Sequence, residues 1–294
     1  MTARILSGKD IAKDIRKELK EEIEVLKEKH GITPGLAVAL VGEDPASQVY
    51  VGAKVKACKN LGVRSIEERL AEDTSEEDLL KLIAKWNEDP EVHGILVQLP
   101  LPKHIDEEKI LLSIRPDKDV DGFHPTNVGK MLIGKPDFLP CTPHGCQQIL
   151  MRSDIETEGK HVVVVGRSNI VGKPVAAILV QKAKGANATV TICHTRTKNM
   201  AEITRQADIL IAAAGVPKVI KADMIKEGAV VIDVGVHRIG KTASGKDKLC
   251  GDVDFDEVKE KASAITPVPG GVGPMTITML MMNTVRSAKM RIGK

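Results

Sequence analysis

Four short apolar runs recur along the second half of the chain: His161 to Gly166 (HVVVVG), Thr189 to His194 (TVTICH), Asp208 to Gly215 (DILIAAAG) and Ala229 to Val236 (AVVIDVGV). Helical or loop segments separate them. Runs this continuous suit strands buried on both faces, and parallel strands need such crossovers between them. The first half repeats the theme with LAVALVG (Leu36 to Gly42), a short run from Arg64 to Leu70, and GILVQLP (Gly94 to Pro100). Alternating strands and helices predict an α/β fold throughout.

Helix signals fill the gaps. Ile11, Ile15, Leu19, Ile23 and Leu26 lie at helical spacing between a cap near Ser7 and a stop at Gly31. Asp44-Pro45 supplies an N-cap and a first-turn proline for a helix to about Asn60. Thr74 with Glu77 reads as a capping box for a helix through Trp86. From Arg115 to Pro143 the chain is rich in proline, glycine and aspartate, and periodicity resumes only around Gly145 to Met151, so a domain boundary is expected there. The resulting division is residues 1–140, rejoined by a closing helix over 275–294, and residues 141–274.

A chain of 294 residues with 42% hydrophobic content is long enough for one large domain or two ordinary ones. Its 43 basic and 40 acidic residues leave a net charge of +3, which offers no electrostatic case for nucleic acid. Aromatic residues make up only 2%, too few for a base-stacking platform. Five scattered cysteines without a CxxC pair argue against zinc or a disulfide framework, so no metal is expected and reduced thiols in the cytoplasm fit best. No apolar run approaches the ~20 residues needed to cross a bilayer.

The run ending at Gly166 leads directly into GRSNIVGKP, where Gly172 and Pro174 stand at a helix start and backbone amides could hold a phosphate. The interval is longer than in GxGxxG, and a plain strand-to-helix turn is the competing explanation. At the end of the next strand, a domain that prefers NAD would usually place a carboxylate for the ribose; this chain has His194, Thr195 and Arg196. With Arg167 in the first turn, the cluster suits a 2′-phosphate, and NADP is expected over NAD.

In the first half, Tyr50 and Lys54 lie four residues apart and share one helical face. An exposed helical pair would look the same. The short-chain dehydrogenase Tyr-x-x-x-Lys follows its glycine motif, whereas this pair precedes the candidate turn by more than a hundred residues. Gln98 ends a strand, where α/β proteins bind ligands. Asp121, in DKDVDGFHP, is either a binding carboxylate or a turn-forming aspartate. PGGVGPMT (Pro269 to Thr276) provides a shaped backbone immediately before a helix.

Together, ASQVYVGAKVKAC, GILVQLPLP, PDKDVDGFHPTNVGK, PCTPHG, VVGRSNIVGKP and PVPGGVGPMT, in this order, resemble the methylenetetrahydrofolate dehydrogenase/cyclohydrolase family over essentially the whole chain. The resemblance implies an N-terminal α/β folate-binding domain, a C-terminal Rossmann-type dinucleotide-binding domain, an active site in the cleft between them, and a homodimer joined through the nucleotide-binding domains. It implies Lys54 as the catalytic lysine, Tyr50 as the stacking tyrosine, Gln98 as the lysine's partner, and Asp121 as the pterin-binding carboxylate. Leu99, Pro269 and Gly270 would border the folate. Gly166, Arg167, Ser168, Gly172, Thr195, Arg196 and Val236 would meet NADP. A member with only one of the two activities, or another two-domain NADP-dependent oxidoreductase, is the alternative.

Overall fold

The structure is a computed structural model and describes residues 2–241, 245 and 247–292. In chain order the elements are β1 (Arg4–Ile5), α1 (Gly8–His30), β2 (Gly35–Val41), α2 (Pro45–Leu61), β3 (Arg64–Leu70), α3 (Glu76–Glu88), β4 (Gly94–Val97), α4 (Glu107–Ser113), α5 (Pro125–Leu132) and α6 (Cys141–Arg152). There follow β5 (His161–Val165), α7 (Gly172–Leu179), β6 (Thr189–Cys193), α8 (Met200–Thr204), β7 (Ile209–Ala212), β8 (Val230–Asp233), β9 (His237–Lys241), β10 (Asp247–Cys250), α9 (Phe255–Val258), β11 (Ala264–Ile265) and α10 (Val272–Lys289).

These elements form two compact units, one from the segment ending at Lys13 plus Thr142–Thr276, the other from Asp14–Cys141 plus the segment from Ile277 onward. Residues 2–13 therefore cluster with the unit containing Thr142–Thr276, whereas the sequence division grouped them with residues 1–140. The reason is strand pairing: Arg4 and Ile5 run parallel to Ala264 and Ile265, while Ala3 and Leu6 are buried. A two-residue strand carries too little periodicity to be read beforehand.

The unit containing Thr142–Thr276 is built on a six-stranded sheet in the order β1-β11-β8-β7-β5-β6, with parallel pairing throughout. Val162 to Val165, Ile209 to Ala212, and Val231 with Ile232 are all buried. Doubly covered strands of this kind explain the valine-rich runs. From β5 the chain goes to β6 on one side and then crosses to β7 on the other. The order thus reverses at the carboxyl ends of β5 and β7, where open α/β sheets bind their ligands.

The other unit carries a three-stranded parallel sheet in the order β3-β2-β4, with its own reversal at the carboxyl ends of β2 and β4. On one helix, α1, Ile15, Leu19, Ile23 and Leu26 are buried at helical spacing. Each such side chain contributes about 1.5–3 kcal/mol relative to exposure. Asp44 accepts from the Ser47 amide at 2.7 Å to start α2, as the Asp44-Pro45 pair predicts. The cap of α3 falls one residue later than expected: Ser75, not Thr74, accepts from the Asp78 amide at 3.1 Å, and its hydroxyl donates to the Asp78 carboxylate at 2.7 Å. Among the described residues, no helix is long and apolar enough to cross a membrane.

Candidate active site

Tyr50 and Lys54 stand on α2, the helix that follows β2, and Gln98 follows the last residue of β4, so all three belong to the switch point of the small sheet. The Gln98 amide N–H donates to the Ala39 carbonyl at 2.9 Å, which extends the ladder by one residue. Its side-chain Nε2 donates to the Leu99 carbonyl at 2.7 Å, leaving Oε1 to accept from Lys54 Nζ at 2.8 Å. The glutamine is oriented before it meets the lysine. Leu99 is half-buried and packs against the core beneath, while Tyr50 is 47% exposed and free to offer its ring face.

Lys54 is only 9% exposed. Burial pushes its ammonium below the ordinary lysine range, and the nearby Asp121 carboxylate pulls it partly back. Asp121 shifts the opposite way: burial raises it, and the Lys54 charge holds it down. The buried Cys141 thiol is pushed well above its usual value, first by burial and then by Asp121. It therefore remains protonated, and its Sγ–H donates to the Val120 carbonyl at 3.5 Å, one residue before that carboxylate. Lys54, Gln98, Asp121 and Cys141 form one cluster, in which Cys141 was not foreseen.

Asp119 is the turn-former, accepting from the Gly122 amide at 3.2 Å, the His124 amide at 2.8 Å and Asn127 Nδ2 at 2.8 Å. Lys118 Nζ donates to the carbonyls of Trp86 and Asp89 at 2.8 and 2.7 Å. Asn283, buried on α10, donates Nδ2 to the Val120 and Leu139 carbonyls at 2.8 and 2.9 Å. With its neighbours fixed in this way, Asp121 can present its carboxylate to a ligand.

In the other unit, Gly166 ends β5 with φ at +135°, and a Cβ there would lie 2.0 Å from the Ala213 carbonyl oxygen. Only glycine fits. Ser168 Oγ accepts from the Val171 and Gly172 amides at 3.1 and 3.3 Å, and its carbonyl accepts from Lys173. The first amides of α7 are thus already engaged. Gly172 packs against the Gly166 carbonyl, and the turn from Arg167 to Ile170 is the part whose amides have no acceptor among the described residues. The open amides thus lie in the turn, while those at the helix start, where the sequence suggested a phosphate, are engaged within the protein.

Beyond β6, Thr195 and Arg196 are exposed, with the Arg196 amide donating to His194 Nδ1 at 3.1 Å. Neither Arg167 nor Arg196 is held in an ion pair among the described residues. Val236, beyond β8, is 45% exposed. A cradle closed by glycine, open amides and two unpaired guanidiniums suits a phosphorylated dinucleotide. In the same unit Pro269 is exposed, and Gly270, with φ at +106°, accepts from the Lys9 amide at 2.9 Å.

Comparison with known proteins accords with both halves. Residues 6–121 match the catalytic domain of tetrahydrofolate dehydrogenase/cyclohydrolase, and residues 140–292 match its NAD(P)-binding domain. A relative named bifunctional protein FolD from Syntrophobacter fumaroxidans is 64% identical over 98% of each chain. The structure of the bifunctional enzyme FolD, methylenetetrahydrofolate dehydrogenase/cyclohydrolase, from Campylobacter jejuni superposes with a TM-score of 0.92 at 52% identity, covering 98% of this chain and 99% of that one. That of the Trypanosoma brucei methylenetetrahydrofolate dehydrogenase-cyclohydrolase, complexed with NADP and an inhibitor, gives 0.94 at 40% identity with full coverage of both. The chain belongs to the tetrahydrofolate dehydrogenase/cyclohydrolase family.

Proposed function

We propose that the protein oxidises 5,10-methylenetetrahydrofolate to the 5,10-methenyl form with NADP and then hydrolyses that product to 10-formyltetrahydrofolate. The observation that carries the assignment is the Lys54 Nζ to Gln98 Oε1 bond of 2.8 Å, formed by a buried lysine beside the Asp121 carboxylate. In the folate, the reacting carbon lies between two nitrogens whose lone pairs stabilise the cation left by hydride loss. Oxidation therefore asks mainly for alignment. NADP, when bound, supplies the hydride acceptor. Gly166, Arg167, Ser168, Gly172, Thr195, Arg196 and Val236 are the residues proposed to hold it.

Tyr50 stacks on the pterin, Asp121 accepts from its aminopyrimidinone edge, and Leu99 borders it. Two parallel charge-assisted bonds fix orientation as well as affinity. Hydrolysis requires proton movement. Water adds through oxygen to the methenyl carbon and loses one proton, giving a carbinol; the carbon–N5 bond then breaks with its electron pair returning to N5, and the carbinol's O–H proton leaves to solvent as the formyl C=O forms. Neutral Lys54 accepts the proton from water and returns one to N5, while Gln98 holds its amine in place. Burial favours that neutral form.

A homodimer joined through the nucleotide-binding units agrees with β6 being an unpaired sheet edge on which Ile192 is 39% exposed. Five free, buried cysteines agree with a reducing cytoplasm. Supplying 5,10-methylenetetrahydrofolate with NADP or NAD in parallel tests the assignment. Methenyl absorbance should rise faster with NADP and then decay to the formyl product. No folate-dependent reduction of either nucleotide would refute it.

A further inference from the structure

We infer that Asp252 is a positioning residue for the dinucleotide, acting through the backbone at the carboxyl end of β7. This rests on the proposal that the rim around Gly166 holds NADP. The sheet order reverses between β5 and β7, so the flanks of the switch point are Gly166, just past β5, and Ala213, just past β7. These flanks touch: the place of a Cβ on Gly166 is 2.0 Å from the Ala213 carbonyl oxygen. Whatever fixes Ala213 to Gly215 therefore also fixes the Gly166 turn.

Ala213 still donates its amide to the Val165 carbonyl at 2.8 Å, whereas the next two residues have left the ladder and their amides are held by one side chain. Asp252, fully buried, accepts at Oδ2 from the Ala214 amide at 2.5 Å and the Gly215 amide at 3.0 Å. Its Oδ1 meets His237 Nε2 at 2.7 Å, beyond the end of β8. Asp252 is itself anchored by a second buried carboxylate. Asp233, the last residue of β8, accepts from the Asp252 and Gly235 amides at 2.9 and 3.0 Å through Oδ1, and from Val253 at 3.0 Å through Oδ2. Cβ atoms on Gly235 and Gly251 would fall 2.3 Å from Asp252 Oδ1 and 1.8 Å from Asp233 Oδ2, so the glycines are what let the two carboxylates in.

Burying two carboxylates is costly, and packing alone would be served as well by apolar side chains. What apolar side chains cannot do is hold free amides at the ends of β7 and β8 in one arrangement. Preorganised backbone at a ligand rim lowers the ordering cost of binding.

The test compares Asp252→Ala, Asp252→Asn, His237→Ala and Arg167→Ala, measuring NADP dissociation by calorimetry, KM for NADP, thermal midpoint, and hydrolysis of supplied methenyltetrahydrofolate, which consumes no nucleotide. Asp252→Ala should weaken NADP about tenfold or more while hydrolysis persists. Asp252→Asn, whose amide oxygen can accept from Ala214 and Gly215 while its NH2 faces His237 Nε2, should stay within about twofold of wild type. His237→Ala should weaken NADP about threefold, and it decides the matter if Asp252→Ala does not fold; unchanged affinity there overturns the inference. The inference is also overturned if Asp252→Ala binds NADP normally while Arg167→Ala does not, or if both activities and the thermal midpoint fall together. If Arg167→Ala and Asp252→Ala both bind normally, the location of the nucleotide at this rim is what fails.

Discussion

Lys54 and Asp121 each move away from the charged state because each is buried, and each draws the other back toward it. The sign of a mutational effect follows. Removing the Asp121 charge removes what raises Lys54, so its pKa falls further below the ordinary lysine value. Because hydrolysis uses neutral Lys54, its rate rises as pH passes upward through that pKa. Asp121→Asn should therefore move this limb to lower pH, and should raise KM for the folate about tenfold by losing one charge-assisted partner. A pH profile of methenyl hydrolysis at saturating substrate reads the first effect; an unmoved limb would separate the two residues. Sequence singled out Lys54 by its helical spacing from Tyr50, Gln98 by its strand end and Asp121 as a loop carboxylate, and the family resemblance assigned their roles. It left Asp121 open as either a binding carboxylate or a turn-former; the turn amides that face Asp119 favour the former.

At the scale of elements, the buried strands were legible because parallel strands leave no face for polar residues. Short elements were not. α5 lies in the proline- and glycine-rich stretch that read as irregular, and its eight residues offer barely two turns of periodicity. The pairing of β9 with β10 also escaped notice, since their burial is slight. α10 was expected as a closing helix, but its function as a clamp depends on Asn283, which no periodicity marks. Asn283→Ala removes this donor from the Leu139 carbonyl and leaves the Val120 carbonyl with only the Cys141 thiol, at a cost on the order of 1–3 kcal/mol. The thermal midpoint should drop by several degrees and KM for the folate should rise, because Val120 immediately precedes Asp121. Wild-type values for both would show that α10 does not support the Asp121 loop.

For the whole molecule, the chain passes between its two units three times, after Lys13, Cys141 and Thr276. The division at Cys141 lay within the stretch where the sequence lost periodicity, whereas the one after Lys13 falls inside α1, whose uninterrupted pattern conceals it. Each unit presents a strand-order reversal, one bearing the lysine cluster and the other the glycine cradle. The two proposed reactions make different demands on that construction: oxidation asks for alignment, hydrolysis for a group that moves protons. Lys54→Met separates them most directly, because it keeps much of the side-chain volume and removes the amine. With 5,10-methylenetetrahydrofolate and NADP, the folded variant should still form the methenyl compound, which should then accumulate without enzyme-dependent decay. Decay at the wild-type rate would remove Lys54 from hydrolysis and contradict the mechanism.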